Sequence, residues 1–317
     1  MLYVSTRDHT NTYTAHRALF EQEASDGGMF VPFCLPELTQ NEIYQMKSNS
    51  FGSNVAQILN LFFSAQLTGW DVDFCCGRSP VDVISLPRKL LIAELWHNTA
   101  SSYGYMEQAL YNKLCGGNPP EQMSCWAKIA IRISILFAAY ALIGPEGYPE
   151  ELDVALDDQE FIAPLAAWYA RRMGLPIGTL ICGSYESSSV WDLIHRGELN
   201  TATCGQNRGV EQLIFAALGP EETKKFVSAC QKRRTYHVDE EKLSVLNDRI
   251  FIAVTSADRV NNVIASFNRS NNYVLDTSAA TGFGALQDYR SRVGESKNTM
   301  LFSMIQLQKD DRFSTKR

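Results

Sequence analysis

The hydrophobic positions in the N-terminal part of the chain follow two periods. Leu2–Ser5, Val81–Ile84 and Leu90–Leu95 are short apolar runs of strand length, and the last is apolar enough to be buried on both sides. Asn41–Ser48 and Asn54–Leu67 instead place apolar residues three and four positions apart, which is the helical period. This pattern predicts a helical unit with a short leading strand.

The rest of the chain alternates helices with strands. A run of Gly, Asn and Pro at 116–120 is the strongest break, and a long apolar helix is predicted after it. The later predictions are a helix at Ala163–Met173, strands at Thr179–Cys182 and Phe251–Thr255, a helix at Gly284–Val293 and a strand at Met300–Ile305. Such alternation favours an α/β core with a largely parallel sheet.

Composition narrows the class of protein. The 317 residues are 45% hydrophobic and 20% charged, which is typical of a folded globular protein and excludes a disordered or collagen-like chain. The net charge of −6 argues against a broad nucleic-acid-binding surface. The eight cysteines show neither zinc-site spacing nor the density of a disulfide scaffold. We therefore expect no metal and reduced cysteines.

No segment predicts export or membrane insertion. Residues 1–15 include Arg7 and Asp8 and lack the apolar core of a secretory signal. The most apolar segment, Ile133–Pro145, is shorter than the roughly 20 residues that a membrane span needs. We expect a cytoplasmic protein that binds neither membrane nor nucleic acid.

Six short segments stand in a fixed order along the chain. They are Asp26–Pro32 with Leu35 and Pro36 after it, Glu94–His97, Trp126–Ala130, Ala170–Ile177, His195–Glu198 and Asp276–Gly282. In that order they resemble the threonine synthase stretches DGGLFVP…LP, ELFH, NWARIA, AKKMGLPI, a helix end with GE or GQ, and DPHTAVG. The matches run over residues 1–305, so the chain resembles that family along most of its length.

The resemblance implies a fold and an activity. Threonine synthases are fold type II pyridoxal-phosphate (PLP) enzymes that convert O-phosphohomoserine to threonine. We expect an N-terminal threonine-synthase-like domain over 1–93 and, over 94–317, a three-layer α/β core like the large domain of those enzymes. The chemistry requires a lysine that holds the cofactor, donors for its phosphate and a partner for its ring nitrogen.

The cofactor lysine is missing from its expected position. The family continues as ELFHGPTLAFKD, and counting from Glu94 places that lysine at Gly104. Glycine has no amine, so the covalent link to PLP cannot form there. The nearest lysines in sequence, Lys89 and Lys113, are expected to be surface residues.

The phosphate-binding stretch also departs from the family. The motif PTGNFGN corresponds here to Asp157–Ala163, which contains no glycine. Loss of the glycines removes the close approach of the backbone to phosphate. Asp157, Asp158 and Glu160 would each oppose a phosphate by about 3–4 kcal/mol per unit charge at 4–5 Å, with an effective dielectric constant near 20.

Two further departures concern the small domain and the strand that would face the ring nitrogen. The family inserts a small domain where this chain has only residues 115–124, so we expect that domain to be largely absent. The family's LSTAHPAKF corresponds to 301–309, where Ser303 keeps a hydroxyl at the position expected to meet the ring nitrogen. His97 matches in position, and we expect it to be packed or hydrogen-bonded rather than a catalytic base.

These departures predict a threonine-synthase-like protein that has lost PLP catalysis and needs no cofactor. Its expected role is binding or scaffolding, through self-association or against a genuine threonine synthase, with Tyr103 or Tyr105 filling the former cofactor space. The alternatives are an enzyme of altered chemistry in the old cleft and residual PLP-dependent lyase activity. The altered enzyme would use His97, Ser102, Tyr103 and Tyr105 on one side and Asp157, Asp158 and Glu160 opposite, where carboxylates could bind a divalent metal or a cationic ligand.

Overall fold

The N-terminal unit is a small sheet packed against helices. The computed structural model describes residues 1–144, 151–185, 189–201, 208–295 and 297–307. The three-stranded antiparallel sheet has the order β2-β1-β3, with β1 at Leu2–Ser5, β2 at Tyr13–Thr14 and β3 at Phe30–Pro32. The helices are α1 at Ala15–Phe20, α2 at Gln40–Gln45, α3 at Phe51–Phe63 and α4 at Gly69–Cys76, with a short 3-10 turn at Met46–Ser48.

The largest sheet is six-stranded and mostly parallel, as the sequence predicted. Its order is β10-β7-β6-β11-β5-β4, and only the β4–β5 pair is antiparallel. The strands are β4 at Asp82–Leu86, β5 at Leu90–Glu94, β6 at Leu152–Asp157, β7 at Ile177–Ser184, β10 at Ile250–Val254 and β11 at Asn298–Ser303. A separate antiparallel pair joins β8 at Glu198–Asn200 to β9 at Thr235–His237.

Helices cover both faces of this sheet and complete three layers. They are α5 at Tyr103–Leu114, α6 at Cys125–Ala141, α7 at Ile162–Arg172, α8 at Ser189–Arg196, α9 at Arg208–Leu218, α10 at Pro220–Gln231, α11 at Glu240–Asn247, α12 at Ala257–Asn271 and α13 at Thr277–Val293. Alternate residues of each strand face opposite layers. In β5, Leu91 belongs to the core under α6 and α7, whereas Ile92 belongs to the core under α12 and α13. The predicted three-layer α/β fold is confirmed.

Three features differ from the sequence-based outline. The boundary expected at residue 93 passes through β5, because β4 and β5 are strands of the large sheet. Strand β6, which lies inside that sheet, and helix α5 were not predicted. Residues 115–124 form the whole connection between α5 and α6, in agreement with the short linker read from the sequence.

The N-terminal unit packs on the core mainly through α3 against α6, and α9 adds polar contacts. Glu211 is 6% exposed, and its carboxylate accepts hydrogen bonds from the Thr6 hydroxyl at 2.5 Å and from Arg7 Nη2 at 2.8 Å. The next residue, Gln212, donates to the carbonyl of Phe30 at 3.0 Å. In the described part of the chain, no helix is both long enough and apolar enough to cross a membrane.

Candidate functional site

Three segments singled out in the sequence meet at one end of the large sheet. They follow β5, β6 and β11, and the carboxyl ends of neighbouring parallel strands are where α/β proteins place their sites. Ser102 pairs with Ile305 in an isolated bridge, and the Tyr103 N–H donates to the Met304 carbonyl at 2.8 Å. The start of α5 is thereby fixed against the end of β11, with β6 between β11 and β7.

The space between these strand ends is almost filled. A cavity of about 30 Å³ remains there. That volume holds a water molecule or two, whereas small-molecule sites usually measure roughly 300–1,000 Å³. Its lining is mainly apolar: Leu95, Tyr103, Arg132, Ile135, Leu136, Leu156, Ala163, Phe302 and Met304.

A tyrosine, a glutamate and an arginine close one side of this cavity. The hydroxyl of Tyr103 donates to Glu107 Oε1 at 2.7 Å, and Arg132 Nε donates to the same oxygen at 3.0 Å. The Arg132 guanidinium also lies 5.6 Å from the centre of the Tyr103 ring. Burial raises the pKa of Tyr103 well above its usual value, and the neighbouring Glu107 charge adds to that rise. Burial alone would lower the pKa of Arg132, but Tyr103 and Glu107 outweigh it and raise that pKa.

Gly104 occupies an open and exposed position. It is the second residue of α5, and a Cβ built there would meet only Ser102 Oγ, at 3.7 Å. Its φ lies outside the left-handed region, so the backbone does not require glycine. Of the two tyrosines expected in the former cofactor space, Tyr103 is 7% exposed and lines the cavity, whereas Tyr105 is 45% exposed and lies outside it.

The loop after β6 uses its own amides internally. The N–H of Asp158 donates to the Gly183 carbonyl at 2.9 Å, and the N–H of Phe161 donates to the Asp158 carbonyl at 2.8 Å. The N–H of Gln159 donates to Asp157 Oδ1 at 3.3 Å. These three amides are therefore already satisfied by protein acceptors and do not point as a group at a ligand.

The carboxylates of this loop do not converge. Asp157 accepts a hydrogen bond from the Ser278 hydroxyl, while Glu160 is largely exposed and lies 3.6 Å from Lys128 Nζ. Among the described residues, Asp157, Asp158 and Glu160 do not form a group with ligand atoms close enough to share a metal ion. The alternative that these three side chains form a metal site is therefore wrong, because Glu160 turns outward on a left-handed backbone, with φ 54°.

Ser303 ends β11 and is fully engaged by neighbouring side chains. Its hydroxyl donates to Asp276 Oδ2 at 3.0 Å and accepts from Trp96 Nε1 at 3.2 Å. Asp276 is buried, and its Oδ1 also accepts from the N–H of Ala279, capping the start of α13. Ser303 thus has a structural role in joining β11, α13 and the segment after β5. Residues 308 and 309 of the matching motif lie outside the described residues.

His97 is hydrogen-bonded, as the sequence led us to expect. Its Nε2 lies 2.7 Å from Glu94 Oε2, and its ring stacks on Trp96 with centroids 4.1 Å apart. It is absent from the cavity lining. Arg132, which lines the cavity, and its partner Glu107 were missed in the sequence. The available signal was Arg132 itself, a charge well inside the mostly apolar helix α6.

Known proteins similar to this chain come from one family. The sequence profile described as "Threonine synthase N terminus" matches residues 2–79. The chain is similar to the threonine synthases. "Threonine synthase-like 2" proteins of Pongo abelii and Homo sapiens are 30% identical to it over 112 residues, which is 32% of this chain and 23% of each relative. The match therefore spans less than a quarter of the length of those relatives.

Solved threonine synthases share the fold over nearly the whole chain. The PLP-bound enzyme from Brucella melitensis superposes with a TM-score of 0.79 at 15% identity, covering 96% of this chain and 89% of that one. The yeast enzyme gives 0.77 at 14% identity, with coverages of 96% and 87%. At this level of identity the likeness establishes the fold and leaves the chemistry to be argued from the site.

Proposed function

We propose that this chain is a threonine-synthase-like protein without PLP chemistry that acts by binding, in the manner of a pseudoenzyme. The observation that carries the proposal is the packed cavity of about 30 Å³ at the strand ends, where Tyr103 and its partners Glu107 and Arg132 lie. Of the residues expected in the cleft, Tyr103 lines this cavity, and the space left beside its side chain is too small for a cofactor and a substrate.

The residues at the strand ends do not fit PLP. Gly104 supplies no amine, and the amides of Asp158, Gln159 and Phe161 already donate within the protein. The Ser303 hydroxyl donates to Asp276 rather than pointing to a free acceptor site. Each of the three requirements for holding the cofactor is thus unmet by a different segment, and no single compensating residue restores them all.

A binding role needs a surface, and the N-terminal unit offers one on α4. Trp70 and Phe74 are 70% and 76% exposed, and their rings stack with centroids 5.3 Å apart. They border a groove of about 590 Å³ that also contains Asp73 and Arg78. Large exposed aromatic side chains beside charged groups are typical of protein interfaces.

Charge complementarity favours a second copy of this chain as the occupant. Asp73 and Arg78 line the groove with opposite charges, and neither makes an ion pair within the described ranges. A two-fold interface brings residue i of one copy to residue j of the other and j to i. Asp73 of each copy would then pair with Arg78 of the other, while the Trp70 and Phe74 rings cover one another.

Light scattering after size-exclusion chromatography tests this binding role. We expect the wild-type chain to show about twice its monomer mass of 35.5 kDa at high concentration, and Trp70→Ala/Phe74→Ala to remain monomeric. Arg78→Glu should weaken the dimer because it faces Asp73 with a like charge. Phe33→Ala is the matched control, since Phe33 is 65% exposed on the same unit but lies outside the groove.

A wild-type chain that stays monomeric at every concentration contradicts self-association. A monomeric chain that forms a heterodimer with a threonine synthase would make that enzyme the partner instead. We propose a cytoplasmic location because thiols stay reduced there and the cysteines within the described residues are all free.

One observation favours the alternative of an altered enzyme. A groove of about 660 Å³ lies beside Glu160, and Lys128, Arg208 and Cys125 also line it. Its size falls within the usual range for small-molecule sites. In this alternative the groove binds a small charged metabolite outside the packed cleft. A saturable rise in melting temperature with one such compound, lost in Arg208→Gln, would favour it over the pseudoenzyme.

A further inference from the structure

A histidine and two carboxylates meet at the β4 edge of the large sheet. Asp82 begins β4 and Glu94 ends β5, and the two residues are direct partners in the antiparallel register. Directly opposed residues project their side chains from the same face of a sheet. The N–H of His97 donates to the Pro80 carbonyl at 3.0 Å, which folds the chain after β5 back toward the start of β4.

These three side chains, the Asp82–Glu94–His97 cluster, point their donor atoms at one another. One ligand atom from each lies within 4.8 Å of the others, and His97 Nε2 is 2.7 Å from Glu94 Oε2. Glu94 is 6% exposed, whereas Asp82 and His97 reach solvent. The stacking of His97 on Trp96, at an interplanar angle of 20°, orients the imidazole. An ion could therefore enter from solvent and meet an oriented, partly buried set of ligands.

Within the described residues, no lysine or arginine pairs with the two carboxylates of the cluster. Like charges on directly opposed strand residues are destabilising. Within the residues that the structure describes, neither Asp82 nor Glu94 pairs with a lysine or an arginine, and the only ion-pair partner of Glu94 is His97. With a neutral imidazole the cluster carries two negative charges, one of them largely buried, and a divalent cation would neutralise both.

We propose that the Asp82–Glu94–His97 cluster binds a divalent first-row transition metal such as Zn²⁺. One imidazole nitrogen and two carboxylate oxygens form a borderline ligand set, which suits Zn²⁺ or Co²⁺ better than Ca²⁺, Mg²⁺ or a thiophilic ion. Three protein ligands leave at least one coordination position for water. The cluster lies outside the packed cavity and outside the α4 groove, so it depends on neither feature of the proposed function.

Co²⁺ titration of the chelator-treated chain, followed by visible absorption and calorimetry, tests this site. We expect saturable binding with one ion per chain. Asp82→Asn and His97→Ala should each weaken binding at least about tenfold, because even the loss of outer-shell partners typically costs 10–100-fold in metal affinity. His237→Ala is the matched control, since His237 lies 3.5 Å from Glu198 on β8 and β9 but belongs to no such three-residue cluster in the described ranges.

The spectrum separates this site from the thiols of the chain. Nitrogen and oxygen ligands give visible bands without the intense near-ultraviolet charge-transfer band of a Co²⁺–thiolate bond. The adjacent pair Cys75 and Cys76 is the competing ligand source, with sulfur atoms 3.6 Å apart. Absence of saturable binding up to about 1 mM Co²⁺, a thiolate band, or equal affinity in Asp82→Asn, His97→Ala and wild type would each overturn the proposal. Unchanged melting temperatures of the metal-free variants exclude unfolding as the cause of lost binding.

Discussion

At the scale of residues, the charge of Arg132 within the mostly apolar helix α6 organises one side of the cleft. The side chain of Arg132 is 24% exposed, whereas most other residues of α6 are buried. It contacts Glu107 on α5. A charge removed from water in this way needs a partner and further hydrogen bonds. Glu107 supplies the partner and Tyr103 shares its oxygen, so the three side chains hold the space between the strand ends closed.

A double-mutant cycle on this network tests its strength. We expect Arg132→Met and Glu107→Gln each to destabilise the chain, because each leaves a partly buried polar group without its partner. The double variant should lose less than the sum of the two, with a coupling energy of about 1–3 kcal/mol measured by urea unfolding. Losses that add within about 0.3 kcal/mol would mean that the two side chains do not interact.

Single residues could be placed from the sequence only where the chain itself determines their position. Counting along the family motifs located Gly104, which lies at the start of α5, and Ser303, which ends β11. Arg132 and Glu107 could not be paired because their contact joins two helices across a connection of undefined path. The sequence left Tyr103 and Tyr105 as alternatives for the cleft, and the structure places only Tyr103 there, since residues two positions apart face different sides of a helix.

At the scale of elements, α3 packs the N-terminal unit against α6 of the sheet-bearing core, and α9 adds a polar contact. Glu211 is its main polar contact and accepts from both Thr6 and Arg7. The hydrogen bond to Glu211 raises the pKa of Arg7 above its usual value, so the guanidinium remains charged at neutral pH. One buried carboxylate thus supplies the polar part of this contact, beside the apolar packing of α3 on α6.

Replacing this carboxylate should loosen this contact. We expect Glu211→Ala to lower the free energy of unfolding by about 2–4 kcal/mol, because Arg7 and Thr6 both lose their acceptor. Glu211→Gln should cost less, since an amide oxygen still accepts one of the bonds. Urea unfolding measures both, with Glu221→Ala as the control because Glu221 is 81% exposed. A loss in Glu211→Ala no larger than in the control would show that α9 does not depend on this contact.

The sequence predicted helices and strands correctly where the hydrophobic period ran over many residues. It missed an element where polar residues interrupted that period. The helix predicted at Ala163–Met173 is α7, whose apolar stripe is continuous, and Thr179–Cys182 lies inside β7. Strand β6 was missed because Asp153 and Asp157 interrupt its short apolar run. In the fold, Asp153 is buried and its carboxylate accepts from the N–H of Thr179, a partner 26 positions away that no local pattern reveals.

At the scale of the molecule, a shared fold does not imply a shared chemistry. About 15% identity to solved threonine synthases preserves a common fold, because a core tolerates many substitutions that keep volume and pattern. A PLP site is less tolerant of substitution than a core, since its lysine, its phosphate-binding amides and its hydroxyl each have a distinct task. The family segments therefore predicted the α/β architecture well, whereas the packing of Tyr103, Glu107 and Arg132 into the cleft required the structure.

The central claim is that the strand-end cleft no longer holds PLP, and covalent trapping tests it most directly. The native chain is incubated with PLP and reduced with borohydride, and each lysine is then quantified by peptide mass spectrometry, beside a PLP-binding threonine synthase as the positive control. We predict only scattered, substoichiometric pyridoxyl adducts on exposed lysines, because position 104 carries no amine and the cavity measures about 30 Å³. One lysine trapped stoichiometrically would contradict the account.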